Sequence, residues 1–509
     1  MRRIFPLVFI LTIPTCSLVP GRNLPEPESI PEMPGAFAAG VADSGTYQPL
    51  EWWKTFEDPV LDRVVEEVLS SNFDLAGAVA RVQQARSRAG VARASAFPLV
   101  QPSVGVNDFD GPTNAGIGAQ LEEVGLDPEA LSAAGVEIPD RLGLTTYTLS
   151  MEFAYELDFW GRNRNDTRSA EAELAATEAD YLSARMGVLA ETVRTYLEIS
   201  SLRRQQGLAG EIVAVLQQLE SLAESQYERG LIELGDLHAA RRRLREAQAE
   251  LPQIEALRAD AEGRLWILMG GFRADLAHKL SNSPGPSPVL KPVPTGIPAD
   301  LMVQRPDVLA AMQRVEAARY SVSARRAALL PRLSLQGAIG LQSTDSSEWF
   351  DPDQWFRNLT MNLLGPVIQG SRLQRNIALA EARLNEAAAA YGRSVVTAVN
   401  EVESALLGLE ASRRRHALLE SLSNETRAES ALQEQRYVSG VGAYEAFLAA
   451  EQTRLAAQSV LAAAVRDLGY ARLALHRSLG GTWTATDSER LRLQQTQPEG
   501  RLPSSPPTE

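Results

Sequence analysis

The segments DLAGAVARVQQAR (residues 74–86) and DVLAAMQRVEAAR (residues 307–319) share the frame Asp-x6-Arg-Val-x2-Ala-Arg, 233 positions apart. Arg93-Ala94 pairs with Arg326-Ala327 at the same offset, and each segment closes on a proline, Pro98 or Pro331. Further along, the offset becomes 210 and holds for more than a hundred residues. Ala170-Glu171-Ala172 matches Ala380-Glu381-Ala382, and Tyr181 matches Tyr391. Arg203-Arg204 matches Arg413-Arg414, Tyr227-x2-Gly230 matches Tyr437-x2-Gly440, and Gly270-Gly271 matches Gly480-Gly481. A fixed offset over that length marks a duplicated unit. The 23-residue difference between the two offsets is an insertion between Pro98 and Arg162, in the polar stretch around Asp108 to Asp140.

Each copy has the same predicted order of elements. A helix (about 60–97, and 299–330) ends at the proline. Period-2 alternation follows: Tyr147, Leu149, Met151, Phe153 and Tyr155 in the first copy, and Leu333, Leu335, Ile339 and Leu341 in the second. After Trp160-Gly161 or Gln369-Gly370 a long helical pattern begins, with Ala175, Ala179, Leu182, Met186, Leu189, Val193 and Tyr196 spaced by fours and threes. Leu384, Ala388, Tyr391, Val395, Ala398, Val402, Ala405 and Leu409 repeat that seam. Some sixty residues at 1.5 Å each make a rod of about 90–100 Å. A Tyr-x-x-Gly turn then sends the chain back as another helix. One copy reads as helix, β-hairpin, long helix, turn, helix.

Composition excludes several functions. Lys plus Arg number 50 against 64 Asp plus Glu, a formal charge of -14, which argues against nucleic acid as a partner. One cysteine, Cys16, rules out an internal disulfide, and the four histidines form no HxxxH or HExxH pair. No metal, cofactor or enzyme chemistry is expected. Arg241-Arg242-Arg243 and Arg413-Arg414-Arg415 read as solvated helix faces.

At the N-terminus Arg2 and Arg3 precede an apolar run, Ile4 to Ile13, that is too short to span a bilayer. The run ends at Pro14, Thr15 and Cys16. Residues 1–15 read as a signal peptide, and two readings of Cys16 stand: the acylated first residue of a mature lipoprotein, or an incidental cysteine. Thr15 and Pro14 depart from the usual lipoprotein pattern. No run of eighteen apolar residues follows, so insertion in a membrane calls for a lipid anchor or a β-barrel. Four strands cannot close a barrel alone. Twelve strands from three chains could, with six pseudo-repeats around the axis.

Several motifs carry a resemblance. They are Trp52-Trp53-x2-Phe56-x-Asp58-Pro59-x-Leu61, Asn72-x-Asp74-Leu75, Tyr155-Glu156-Leu157-Asp158-x-Trp160-Gly161-Arg162, Arg305-Pro306-Asp307-Val308 and the two Tyr-x-x-Gly turns. Together they resemble the TolC-like outer membrane factors, in the lipoprotein branch of tripartite RND-type efflux systems, from Cys16 to about Gly481. The resemblance implies a mainly α protein with a β-barrel part: a homotrimer with a twelve-stranded outer membrane barrel continued by a periplasmic α-helical barrel. It implies a passive export duct for drugs or other small toxic solutes, docked by a periplasmic adaptor and energised by an inner-membrane transporter. The alternative is the outer membrane channel of a type I protein secretion system.

Residue by residue, the resemblance implies lipid attachment at Cys16. It implies adaptor contact at the tip through Gly230, Gly440, Val441, Gly442 and Ala443, and a periplasmic gate of Tyr227, Asp236, Arg436 and Tyr437. Leu231-Ile232-Glu233 lacks the glycine of Val441-Gly442-Ala443, and Ala449 stands where relatives often carry a gate aspartate. Each Tyr-x-x-Gly can equally be a plain hairpin turn with glycine in the left-handed cap. The expected boundaries are a lipidated tether and part of an equatorial collar (16–59) and repeat 1 (60–280, hairpin within 99–158, tip turn 227–236). A linker (281–298), repeat 2 (299–481, hairpin within 332–366, tip turn 437–446) and a collar segment with a disordered tail (482–509) follow.

Overall fold

The computed structural model describes residues 51–112, 141–272, 304–366 and 371–480, with a few isolated positions besides. Cys16, residues 482–509 and most of the 16–59 and 281–298 segments lie outside the described residues. In chain order the helices are α1 (Pro59–Ser71), α2 (Phe73–Ala94), α3 (Arg162–Glu228), α4 (Leu234–Leu268), α5 (Pro306–Ala327), α6 (Arg372–Val438) and α7 (Tyr444–Ser478). The strands are β1 (Leu99–Pro112), β2 (Arg141–Leu157), β3 (Arg332–Ser343) and β4 (Trp355–Leu364). α3 and α6 each have 67 residues, and α4 and α7 each have 35. Their first residues, Arg162 and Arg372 or Leu234 and Tyr444, stand 210 positions apart, the offset read in the sequence. Among the described residues no helix is long and apolar enough to cross a membrane.

The chain forms two compact units. The described part of one is Ser87–Glu171 with Glu316–Leu384; the other holds most of the remaining helical chain. The first unit carries a four-stranded antiparallel sheet in the order β1-β2-β3-β4. Its register sorts the side chains by face. On one face lie Val100, Val104 and Val106 of β1, Leu149, Met151 and Phe153 of β2, Leu335, Ile339 and Leu341 of β3, and Leu359, Met361 and Leu363 of β4. The other face carries Gln101, Ser103 and Asn107, then Thr146, Thr148, Ser150 and Glu152, then Ser334, Gln336 and Gln342, then Asn358, Thr360 and Asn362. A one-residue slip would exchange the two faces, so the pattern itself holds the register. Phe153 lies over Gly337, where an added Cβ would come within 2.5 Å of the ring. An aromatic ring over a bare backbone position locks the β2–β3 pairing further.

The passage from β2 into α3 explains one of the sequence motifs. Asp158 accepts hydrogen bonds from the backbone N–H of Asn163 and of Arg164, capping the helix. Gly161 takes φ 74° to make the bend. Arg162 forks onto both oxygens of Glu156, at 2.8 and 2.9 Å. Trp160 donates its indole N–H to the Pro331 carbonyl at 2.7 Å, tying this bend to the start of β3.

In the second unit the expected helix over 60–97 is instead two helices with a break at Asn72, and α2 stops at Ala94. Asn72 is extended (ψ 127°), and its side chain does two jobs. Its carbonyl oxygen accepts from the Leu75 N–H at 3.0 Å, and its amide donates to the Leu268 carbonyl at the end of α4. Ser71 donates to the Met269 carbonyl beside it, and Gly270 (φ 69°) lets the Ser71 oxygen approach where a Cβ would stand 2.5 Å away. The second copy builds the same joint from different chemistry. Arg305, buried, grips Asp307 with two bonds, donates to the Ser478 carbonyl at 2.9 Å and pairs with Glu401 at 2.8 Å. Gly480 (φ 102°) admits the Gln304 carbonyl. Burial opposes the charge of Asp307, yet the Arg305 fork holds its carboxyl below the usual range.

The apolar core of this unit collects Trp52, Trp53 and Phe56, the buried face of α1, Val188 to Leu202 of α3, and Leu265 and Trp266 of α4. Asp58 accepts from the Val60 and Leu61 N–H groups at the start of α1, where Pro59 occupies the first helical position. The Tyr196 hydroxyl of α3 donates to its other oxygen. His476 of α7 stacks on Trp52 with ring centres 5.1 Å apart. Burial, helped by the nearby Arg472 charge, pushes its pKa down to about 3.

That shift has a definite sign. Between its ordinary value near 6.5 and about 3, His476 takes a proton in the unfolded chain that it refuses in the folded one. Stability is therefore full above about pH 6.5 and falls as the pH drops, by about 1.4 kcal/mol per unit. Thermal melts at pH 7 and pH 5 should differ by roughly 2 kcal/mol from this group alone. His476→Phe, which keeps a ring on Trp52, should flatten that difference; an unchanged slope would assign the acid sensitivity to other groups.

Candidate functional site at the helical hairpin turns

The turn from α3 to α4 is a glycine-capped helix end. Gly230 (φ 70°) donates to the Tyr227 carbonyl at 2.8 Å, and Leu231 donates to the Gln226 carbonyl at 2.9 Å. The turn from α6 to α7 repeats it: Gly440 (φ 76°) to Tyr437 at 2.9 Å and Val441 to Arg436 at 3.0 Å. These are the paired bonds of a Schellman cap, and they use the tyrosine carbonyl rather than its ring. The backbone therefore requires the glycine and leaves the tyrosine side chain free for other work. Tyr227 and Tyr437 are both exposed, as are Leu231, Leu234, Val438 and Val441.

The second turn is tighter than the first. Gly442 also donates to the Arg436 carbonyl at 3.0 Å. A Cβ on Gly442 would sit 2.9 Å from the Arg436 Cβ and 3.1 Å from the Arg436 carbonyl carbon and the Tyr437 nitrogen. Close backbone approach, not a positive φ, is thus the constraint at Gly442; the positive φ belongs to Gly440. Ala443 is the N-cap of α7 and makes no side-chain cap. Ile232, 210 positions before Gly442, has no such restriction.

Asp236 is used locally. It completes a capping box with Glu233 at the start of α4, accepting from the Glu233 N–H at 3.2 Å. Tyr437 packs at a tilt against Tyr444 with ring centres 4.8 Å apart, and Tyr444 lies 6.1 Å from Phe447. The Tyr444 hydroxyl donates to Gln218 of α3 at 2.7 Å. Neither Tyr444 nor Gln218 was singled out in the sequence. The signal for Tyr444 was its place as the first residue of α7, seven positions after Tyr437.

Behind the turns the two hairpins are packed differently. Val213 and Leu216 of α3 bury against Leu244 of α4. The α6 positions 210 further on are Ser423 and Thr426, both buried. Ser430 donates to Glu451 of α7 at 2.7 Å, and Glu451 is held by Arg454, so its carboxyl lies below the usual range despite partial burial. α7 in turn packs on α3 through Leu208, Val215, Leu448 and Leu455.

A sheet that is apolar on one face, polar on the other and unpaired along both outer edges has an apolar surface and two edges to cover. The chain belongs to the outer membrane efflux protein family, whose model matches residues 64–271 and 297–481. It is a TolC-like outer membrane factor by these relatives. It is 27% identical over 478 residues to the outer membrane protein OprJ of Pseudomonas aeruginosa, covering 94% of this chain and 95% of that one. It is 29% identical over 493 residues to the toluene efflux pump outer membrane protein TtgI of Pseudomonas putida, covering 95% and 99%. The solved outer-membrane channel OprN superposes with a TM-score of 0.77 at 26% identity, over 89% of this chain and 98% of that one. The family consists of outer membrane channel proteins, not enzymes.

The two glycines of the second turn should answer differently to substitution. Gly440→Ala should cost about 1 kcal/mol of local stability because alanine resists positive φ, and Gly440→Asn should cost less. Hydrogen exchange at residues 441–447 should rise from the native protein to Gly440→Asn and further to Gly440→Ala. Equal exchange in the two variants would show that φ does not control the turn.

Proposed function

We propose that three copies of this chain form the outer membrane channel of a tripartite efflux pump. Their twelve strands would close one barrel, and their helices would continue it as a periplasmic tunnel built from six related units. The observation that carries this reading is the two-faced sheet whose edge strands, β1 and β4, each have one unpaired side. In hydrocarbon such edges must find partners, and further copies of the same sheet supply them. The β2 span from Tyr147 to Leu157 is about 33 Å along the strand, which at a tilt of about 40° covers an apolar band of roughly 25 Å. Aromatic rings gather where that band ends. Trp349 lies 5.6 Å from Tyr147 and 5.3 Å from Phe350 beyond β3, and Phe97 and Phe159 are exposed at the strand–helix junctions.

The polar face then lines a wet lumen through which solutes pass without chemistry. Drugs and other small toxic solutes are the substrate class. The energy comes from an inner-membrane RND-type pump, and a periplasmic adaptor docks on the glycine-turned tips, at Gly230 and at Gly440, Val441, Gly442 and Ala443. Arg436, Tyr437, Tyr227 and Asp236 form the periplasmic gate around the trimer axis, Asp236 meeting Arg436 of a neighbouring copy. Cys16 carries the lipid that anchors the N-terminal tether in the outer membrane, an attachment weak beside that of the barrel.

Two experiments test this reading. Gly442→Glu should abolish efflux in cells supplied with pump and adaptor, while the amount and heat resistance of the trimer stay unchanged. Unaltered efflux in that variant would remove the tip from the docking role. Cys16→Ser should lose radiolabelled fatty acid while the trimer still inserts; persistent label would place the acyl group elsewhere.

A further inference from the structure

Among the described residues the apolar face of the sheet carries two cations: Arg141 at its far end, paired with Asp110 of its own chain, and Arg357 within the apolar rows. Directly paired residues run Pro102, Met151, Ile339 and Arg357 from β1 to β4, so Arg357 stands in a row that is otherwise apolar. It lies on an edge strand, two residues from the end of β4 at Trp355. On the opposite edge strand, the same face of β1 reads Val100, Pro102, Val104, Val106, Asp108 and Asp110. The two outer edges of one sheet therefore carry opposite charges on one face. A cation among lipid chains is costly near the middle of the apolar band, and a carboxylate beside it offsets that cost.

The register shows which carboxylate comes alongside. β1 and β2 reach the far end of the sheet together, at the pair Pro112 and Arg141. β3 stops at Ser343, whose row contains Tyr147 and Val106, and β4 stops at Trp355, whose row contains Leu341, Leu149 and Val104. The far ends thus step back by six and then eight residues along β1. At the other end β2 and β3 run past Leu99 of β1. Both ends slide the same way, as tilted strands do when a sheet is destined to close.

When the next copy begins, its β1 starts again at full height. A row that leaves Pro102 therefore meets the neighbouring β1 further along than Pro102. Strands about 4.8 Å apart, tilted about 40–45° with a rise of about 3.3 Å, shift by roughly 1.2–1.5 residues each and by about five to six over four strands. The shift must be even, because an odd one would turn the apolar face inward. Six residues beyond Pro102 is Asp108.

We propose that Arg357 of one copy pairs with Asp108 of the next across the β4–β1 junction, and that this ion pair fixes the register in which the barrel closes. The inference rests on the three-copy barrel proposed above. Asp108 is suited to the contact: it is exposed, and within its own chain it accepts from the Thr145 hydroxyl at 2.7 Å, which orients the carboxylate. Asp110 is held by Arg141 of its own chain through two side-chain bonds, leaving Asp108 as the acid without a cation of its own among the described residues.

Two measurements on full-length protein in outer membranes test it. Arg357→Glu and Asp108→Arg should each lower the temperature at which the trimer dissociates in detergent gels, and the double exchange should restore most of the loss. Failure of the exchange to restore it overturns the ion pair. Independently of stability, Arg357→Cys should be combined in turn with Val106→Cys, Asp108→Cys or Asp110→Cys and oxidised. Subunit-linked dimers and trimers should form several-fold more with Asp108→Cys than with either other position. A maximum at Val106→Cys or Asp110→Cys overturns the register while leaving the barrel standing. The native protein running as a monomer before any substitution would overturn the barrel reading instead.

Discussion

Every backbone N–H and C=O that meets lipid must be hydrogen-bonded within the protein, and four strands in a row leave two edges that are not. Most of the other features of the first unit serve that constraint. The alternation that makes one face apolar and the other polar sets the register, and Phe153 over Gly337 locks it. The Asp158 cap, the Arg162–Glu156 fork and the Trp160 bond to Pro331 fix where strand gives way to helix. With the lower end fixed this firmly, the outer sides of β1 and β4 are what the four-stranded sheet leaves unpaired.

In the second unit one joint is built twice. Where α4 and α7 end, a left-handed glycine brings a carbonyl from the preceding segment close, and a polar side chain reaches the last helical carbonyls. The first copy uses the neutral amide of Asn72, the second the buried guanidinium of Arg305 with Asp307 and Glu401. The geometry was kept while the chemistry changed, which is what the backbone constraint at Gly270 and Gly480 would select. The charged version is the more exacting of the two. Removing Asp307 would take two bonds from the shielded Arg305 guanidinium, whereas the two carboxylates themselves remain partly open to water.

Much of this was legible in the residues. The offsets of 233 and 210 recur in the element bounds, because a duplicated chain repeats its caps and turns along with its apolar seams. The strand alternation at Tyr147–Tyr155 was visible because each face meets a different environment. The break at Asn72 was not, since helix periodicity runs on across it and the cause is a hydrogen bond to Leu268, far away in sequence. What constrains Gly442 was not legible for a similar reason. Glycines two positions apart look interchangeable in sequence, but Gly440 makes the left-handed cap while Gly442 is held by crowding against Arg436. Asp236, assigned to a gate on resemblance, also has a local duty as a helix cap that its spacing from Glu233 could have revealed.

The two hairpins match in length and in turn geometry but not in what lies between their helices. Separating α3 from α4 would bare Val213, Leu216 and Leu244 to water. Separating α6 from α7 would break the Ser430–Glu451 bond and return Ser430 and the Glu451–Arg454 pair to solvent, groups that water accepts readily. The seam of the second hairpin therefore meets water at lower cost than that of the first, although both hairpins turn on the same glycine cap.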